Sequence, residues 1–230
     1  MIKYFPPDDT ETLTASGEYV YFCNGEQQAI TEPWTIHKRG DAQIVRSRRL
    51  AADYGVAITA ITLAEADGNT QAALVWQSSA NNQDLRREVS IDLASDLFSY
   101  QLDDGDIRLV ETTAAYRLFP LMRIYMGEVL DHLVTLDGPG NLLIPNIKDP
   151  SDTATLLTPE LTERRAVLVK STSVDIDGRA VPAKLYDYTG DQYESGSCFY
   201  VDERGVLLKY TWRQSGDADW DVTLKNYNWL

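Results

Sequence analysis

The sequence has few of the residues that most often bind transition metals. Its 230 residues include two cysteines, Cys23 and Cys198, and two histidines, His37 and His132. A metal centre built from histidine and cysteine needs more ligands at closer spacing, so we expect no metal site. The cysteines lie far apart and outside any CxxC pattern, which predicts two free thiols in strands.

Motifs for covalent catalysis and for cofactor binding are also missing. The sequence contains no Gly-x-Ser-x-Gly, no phosphate-binding loop and no dinucleotide fingerprint. We therefore assign no catalytic residue and expect no cofactor. The segment Asp175–Gly178 has a faint likeness to a calcium loop, but it lacks the downstream acceptors and the closing glutamate. We interpret it as a hairpin turn.

Long apolar runs and an excess of positive charge are absent as well. No run of about 18 apolar residues occurs, which predicts no membrane-spanning helix and no stable membrane insertion. The N-terminus, Met1–Asp9, has no apolar signal-peptide core, so we expect a cytoplasmic location. The net charge of −14 disfavours binding to nucleic acids and to anionic membranes. The oligomeric state does not follow from the sequence.

Strand-like runs separated by turn signals fill most of the chain. The last third predicts a three-strand antiparallel meander, Ser197–Val201, Val206–Arg213 and Trp220–Tyr227, with turns at 202–205 and 215–219. Similar runs begin at Gly17, and turn signals recur every 8–12 residues or so, as in a large sheet or barrel. Further strands are predicted at 34–38, 43–51, 56–64, 71–77, 86–93, 97–102, 107–112, 165–171, 173–176 and 181–188.

The strand-like alternation of side chains, which has a period of two residues, is lost once, near the middle of the chain. After Pro120, apolar residues recur at helical spacing and predict a helix over 120–134. A proline-rich stretch follows and predicts an ordered loop over 137–159. Residues 1–16 are predicted to form an N-terminal arm before a single domain at 17–230. The predicted fold is α+β but mostly β: a large curved antiparallel sheet, a half-barrel or barrel, wrapped around one central helix.

The apolar stripe of the predicted helix needs a surface to pack against, and the surrounding chain offers only sheet. The stripe therefore belongs either to an ordinary core helix or to a plug that caps a cavity on the concave face. Two methionines suit a surface that repacks, and Gly127 would let the helix bend. The stripe consists of Met122, Met126, Val129, Leu130 and Leu133.

Two sets of residues are candidates for ligand binding. Arg46 and Arg48 are two residues apart in a predicted strand and share a face, where they could grip an acidic group or simply pair with surface acids. The chain has 13 tyrosines and 5 tryptophans against 5 phenylalanines, and such amphipathic rings suit strands with one dry side. The candidate cavity residues, which could equally be plain core, are Trp76, Met122, Met126, Tyr210 and Trp212.

The pattern of elements resembles two related groups of proteins, one of them bacterial. The resemblance rests on the many-stranded meander, the central helix before a proline-rich loop, and the closing sequence Phe199–Tyr210. One group is the lipoprotein carriers, whose incomplete β-barrel is plugged by helices; the other is a family described as glycolipid-binding proteins. The resemblance implies an apolar cavity. The carriers have a leader that this sequence lacks, so transport of lipoproteins itself does not follow.

Three functions remain open at this point. The first is non-enzymatic binding of a lipid-like or other apolar small molecule in a β-barrel cavity. The second is a lyase or isomerase that acts on a hydrophobic metabolite in the same cavity. The third is a structural or interaction domain without a ligand. A cavity separates the first two from the third, and titratable groups with shifted pKa values in that cavity would favour the enzyme.

Overall fold

One sheet accounts for most of the chain. The computed structural model describes residues 1–79, 84–94, 97–112, 115–190, 193, 197–214 and 218–230. Within them, fifteen strands form a single sheet in the order β8-β7-β6-β5-β4-β3-β2-β1-β15-β14-β13-β12-β11-β10-β9. All neighbours pair antiparallel except β9 and β10, which are parallel. The predicted turn at 215–219 lies partly outside the described residues.

The fifteen strands of the described residues range from 3 to 18 residues in length. The strands are β1 Thr12–Cys23, β2 Glu26–Arg39, β3 Ala42–Ala51, β4 Val56–Ala64, β5 Thr70–Ser78, β6 Leu85–Leu93, β7 Leu97–Leu102, β8 Arg108–Glu111, β9 Tyr116–Leu118, β10 Gly140–Pro145, β11 Pro159–Ile176, β12 Arg179–Thr189, β13 Cys198–Val201, β14 Leu207–Gln214 and β15 Ala218–Trp229.

Strong curvature brings the two ends of this sheet together. The Tyr116 hydroxyl of β9 donates to the carbonyl oxygens of Ala94 and Leu97, at 3.3 and 3.2 Å. Its ring packs edge-on against Phe98 of β7, with the ring centroids 5.8 Å apart. The sheet therefore wraps nearly into a barrel, which confirms the predicted fold class.

A helix lies inside the curve. A turn of 3-10 helix at Arg123–Tyr125 leads into α1, Met126–Val134. Helical backbone begins later than the predicted Pro120, because Leu121 has a φ of +64° and Met122 is extended. The predicted stripe is buried throughout: Met122, Met126, Val129, Leu130 and Leu133 are at most 2% exposed. Among the described residues, no helix is long and apolar enough to cross a membrane.

Gly127 allows close packing of α1 against a turn, and its role as a point of bending stays a prediction. A Cβ atom at this position would lie 1.7 Å from the carbonyl oxygen of Gly205, in the turn between β13 and β14. Such an approach of helix to turn is open only to glycine. The substitution Gly127→Ala therefore cannot simply stiffen the helix.

Several predicted boundaries were wrong; the strand predicted at 34–38, for example, is only part of β2, Glu26–Arg39. The first strand begins at Thr12, five residues before the predicted Gly17. The predicted loop 137–159 contains β10, which pairs with β9 and β11. Pro145 and Pro159 face each other at one end of the β10–β11 pair, where a missing N–H is tolerated, and this explains the loop-like sequence. The predicted strands 165–171 and 173–176 belong to one strand with a bulge between Leu168 and Lys170.

The N-terminal arm, residues 1–11, packs across the convex face of the sheet. Ile2 and Phe5 cover a small apolar cluster on β3, β4 and β5. Arg46 holds the arm: its guanidinium binds both carboxylate oxygens of Glu11 at 2.7 Å, and its Nε donates to the carbonyl oxygen of Phe5 at 3.0 Å. The Glu11 side chain is fully shielded from solvent, and that of Arg46 is 5% exposed. A buried ion pair thus fastens the arm.

We expect Gly127→Ala to destabilise the protein by about 1–3 kcal/mol or more, because the new methyl group collides with backbone. The exposed neighbour Glu128→Ala serves as the control and should change stability by less than about 1 kcal/mol. Urea denaturation measures both. A gain in stability for Gly127→Ala, as helix propensity alone would give, would contradict the packing.

We expect Arg46→Met to cost about 3–5 kcal/mol, because it leaves the Glu11 carboxylate buried without its partner. Arg48, two residues along the same face, is exposed, so Arg48→Met should stay within about 0.5 kcal/mol. Equal effects of the two substitutions on denaturant midpoints would show that Arg46 does not anchor the arm.

The same pair predicts a pH dependence. Hydrogen bonds from Arg46 lower the pKa of Glu11 below its ordinary value of 4.5. A carboxyl group whose pKa is lower in the folded state than in the unfolded state stabilises the fold when the pH is above its unfolded-state pKa. This contribution is lost as the pH falls through the folded-state value. The wild type should therefore lose more stability than Arg46→Met does when the pH is lowered below about 4.5.

Candidate functional site

Two pockets flank the segment 118–125 that precedes α1. The larger, of about 490 Å³, is bordered by the loop Asp67–Thr70 and by Arg117 and Glu128, which form an ion pair with each other. The smaller, of about 120 Å³, combines three arginines with apolar and aromatic walls. Convergent polar groups in an apolar wall are typical of ligand sites, so the smaller pocket is the better candidate.

We name this smaller pocket the arginine pocket. It lies between the segment before α1, the end of β10 and the adjoining faces of β3, β11 and β12. Its lining residues are Arg49, Phe119, Leu121, Arg123, Ile144, Pro145, Asn146, Ile147, Lys148, Glu160, Thr162, Arg164, Tyr188 and Tyr193.

A buried ion pair forms one side of the arginine pocket. Glu32 of β2 is fully buried and accepts from Arg49 Nε and Nη2 of β3, at 2.7 and 2.6 Å. The Tyr21 hydroxyl donates to the same carboxylate at 2.6 Å, and burial raises the pKa of Tyr21 well above its ordinary value, so that it stays a donor. The backbone N–H of Arg123 donates to the other oxygen of Glu32. Arg49 in turn donates to the carbonyl oxygen of Leu121 at 2.8 Å.

These bonds fix an unfavourable backbone conformation. Leu121 is buried with φ +64°, a left-handed conformation that residues with a Cβ seldom adopt. Such a conformation persists only where the surroundings determine it, and it is concentrated at functional sites. Arg49 binds the peptide group before Met122, and Glu32 binds the peptide group after it. The two residues therefore fix the backbone position from which the Arg123 side chain extends.

The Arg123 side chain rests on an aromatic face. Its guanidinium carbon lies 4.7 Å from the ring centroid of Tyr210, and Phe199 stacks parallel to Tyr210 at 5.0 Å. Burial raises the pKa of Tyr210 to about 12, so the ring is neutral and its contact with Arg123 is a cation–π interaction. Arg123 Nε is shielded from solvent and has no hydrogen-bond partner in the part of the chain that the structure describes.

Arg164 of β11 contributes the third guanidinium of the pocket. The residue is 7% exposed, and its Nη1 donates to the carbonyl oxygen of Glu163 at 2.8 Å. A Cβ atom at Gly190 would lie 2.7 Å from Arg164 Cδ, so a glycine with φ +125° leaves room for the side chain. Burial raises the pKa of the neighbouring Tyr188, although the charge of Arg164 opposes this rise.

The rim is charged and more exposed. Lys148 Nζ lies 3.2 Å from a carboxylate oxygen of Glu160, and both side chains are well exposed to solvent. The described lining thus contains four cationic residues and one anionic residue. In a chain of net charge −14, this is a local concentration of positive charge.

The structure separates the residues that the sequence suggested for ligand binding. Trp76, Met122, Met126, Tyr210 and Trp212 all belong to the main core. Two of them contact residues that line the arginine pocket. The ring of Tyr210 packs against the Arg123 guanidinium, and the ring centroid of Trp212 lies 5.0 Å from that of Tyr193. Arg46 and Arg48 lie on the convex face, where Arg46 binds Glu11. An acidic ligand on these two arginines stays a prediction.

Several residues of the pocket were missed by the sequence analysis. Glu32 and Arg49 carry a usable signal, because each falls in the apolar phase of its strand: Glu32 lies between Ile30 and Trp34 in the alternation. An acid and a base in the buried phase of adjacent strands indicate an internal ion pair. Arg123 has no such signal, since its role depends on the irregular backbone before α1.

Comparison with known proteins shows the fold. No protein-family model and no curated protein matches the sequence. Among solved structures, the chain is similar to a beta-barrel-like protein of the domain of unknown function DUF1849 from Brucella abortus, with a TM-score of 0.60 at 11% identity. The match covers 95% of this chain and 98% of that chain. It supports the β-barrel-like part of the predicted resemblance and does not extend to glycolipid or lipoprotein binding.

The described parts of the chain contain no cluster of three or more histidine, cysteine, aspartate or glutamate side chains placed for a metal. Cys23 and Cys198 are separate free thiols, as predicted.

We expect the Glu32–Arg49 pair to be strongly non-additive in stability. Arg49→Met alone should cost about 3–5 kcal/mol, because it strands a buried carboxylate, and Glu32→Met alone should cost a similar amount. The double substitution removes both charges and should cost less than the sum of the two. Denaturant unfolding of the four proteins measures this coupling. Additive losses would show that the two charges do not depend on each other.

Proposed function

We propose that this protein binds a small, largely apolar molecule in the arginine pocket and does not transform it. The observation that carries the proposal is a pocket with apolar and aromatic walls, held by ordered strands at the concave side of a β-barrel-like sheet. That the natural ligand is lipid-like, as the resemblance to glycolipid-binding proteins implies, is part of this proposal.

The walls favour a hydrocarbon or ring. Phe119 and Leu121 come from the segment before α1, while Ile144, Pro145 and Ile147 come from β10 and the residues after it. The volume of about 120 Å³ is close to that of a cavity of roughly 150 Å³ that binds benzene. A ring or short chain would therefore fill the pocket, and a longer ligand would extend past the Lys148–Glu160 rim.

The ionisable groups favour binding over catalysis. A general acid or base works best with a pKa near the ambient pH. The inner wall instead carries arginines, which stay charged, and Tyr188, whose pKa burial raises. Neither histidine lines the pocket, and Glu160 lies at the rim beside Lys148. This set suits recognition better than the lyase or isomerase alternative.

The proposal is tested with benzyl alcohol, a neutral probe of suitable size, by saturation-transfer NMR. The wild type should bind it. Ile147→Trp places a large ring in the pocket and should reduce binding roughly tenfold or more, the effect of about 1.4 kcal/mol. Leu168→Trp, at an exposed position of β11, is the matched control and should bind as the wild type does.

Two results would contradict the proposal. One is the absence of any benzyl alcohol binding to the folded wild type. The other is equal binding to wild type and Ile147→Trp, which would place the probe elsewhere. Circular dichroism of both tryptophan variants confirms that they are folded before binding is compared.

A further inference from the structure

The arginines of β3 and of the pocket differ in how their charges are balanced. Arg49 binds Glu32 and the carbonyl oxygen of Leu121. Arg46, on the other face of β3, binds both oxygens of Glu11. Buried charges are costly unless they are paired, and each of these two guanidiniums has a carboxylate of its own.

Arg123 departs from this pattern. Its guanidinium has no carboxylate within ion-pair distance among the residues that the structure describes, and its buried Nε has no hydrogen-bond partner there. The contact with Tyr210 attracts the cation but does not neutralise it. A guanidinium that lies at the wall of a pocket without a carboxylate partner of its own is well placed to bind an anionic ligand.

We propose that the arginine pocket selects an anionic head group, a carboxylate or phosphate bound by Arg123 with support from Arg164. The inference rests on the proposed binding function and names the ligand class. The planar guanidinium offers several N–H donors that match the oxygens of such groups. The apolar walls would receive the part of the ligand attached to the acid.

The framework around Arg123 suits this role because it is rigid. The backbone N–H of Arg123 is bound to Glu32, and the side chain lies on the stacked pair of Tyr210 and Phe199. The guanidinium is therefore positioned before the ligand arrives, which lowers the entropy lost on binding. Arg164 of β11 is buried and lines the same pocket.

The test compares three probes of one shape: benzoate, benzyl alcohol and benzylamine. Their dissociation constants are measured by NMR titration with the wild type, with Arg123→Met, and with Arg165→Met. Arg165 is the exposed neighbour of Arg164 and provides the control. The wild type and the control should bind benzoate roughly tenfold or more tighter than benzyl alcohol, and benzylamine most weakly. Arg123→Met should lose the preference for benzoate over benzyl alcohol.

The outcomes distinguish this inference from the function on which it rests. Equal affinity for benzoate and benzyl alcohol in the wild type would overturn the anion selectivity and leave the binding function in place. Binding of neither probe would overturn both. A preference for benzoate that survives in Arg123→Met would also overturn the assignment.

Two further measurements complete the test. If Arg123→Met does not fold, Arg123→Lys keeps one charge and loses the planar fork, and its preference for benzoate should be smaller than that of the wild type. An unchanged preference would contradict the proposal. Competition with inorganic phosphate separates the sources of the anion: displacement of benzoate supports a phosphate head group, and failure to displace it supports a carboxylate.

Discussion

The buried ion pair between Glu32 and Arg49 is the interaction on which the candidate site depends. Removing two charges from water costs several kcal/mol per ion, and only close geometry with further hydrogen bonds offsets it. Here the carboxylate also accepts from Tyr21 and from the backbone of Arg123, while Arg49 also binds the carbonyl oxygen of Leu121. The pair therefore joins three strands to the irregular segment before α1, and it is this segment that carries the pocket.

Strand β3 contributes an arginine to a buried ion pair on each of its two faces. Arg49 points to the concave side and meets Glu32, whereas Arg46 points to the convex side and meets Glu11 of the N-terminal arm. Each pair fixes a segment without regular structure onto the sheet. Among the described residues, Arg123 has no carboxylate at ion-pair distance, and we propose that a ligand in the pocket beside it supplies the negative charge.

Much of the fold follows from the sequence, because strand alternation and turn residues are local signals. The strand at Val56–Ala64 was predicted to the residue. Gly140–Pro145 was missed because the prolines at the end of the β10–β11 pair look like a loop. The need for Gly127 depends on contact with Gly205, far along the chain, and no local pattern shows it. The site was harder still: Arg123 matters because of a left-handed residue two positions earlier, which only the folded structure reveals.

The most direct measurement is a crystal structure of the protein with benzoate bound. The proposed binding mode places the ring against the apolar wall of Phe119 and Ile144 and the carboxylate against Arg123, and it leaves the Glu32–Arg49 pair unchanged. A carboxylate that faces solvent, that binds on the convex face at Arg48, or that displaces Glu32 from Arg49 would contradict it.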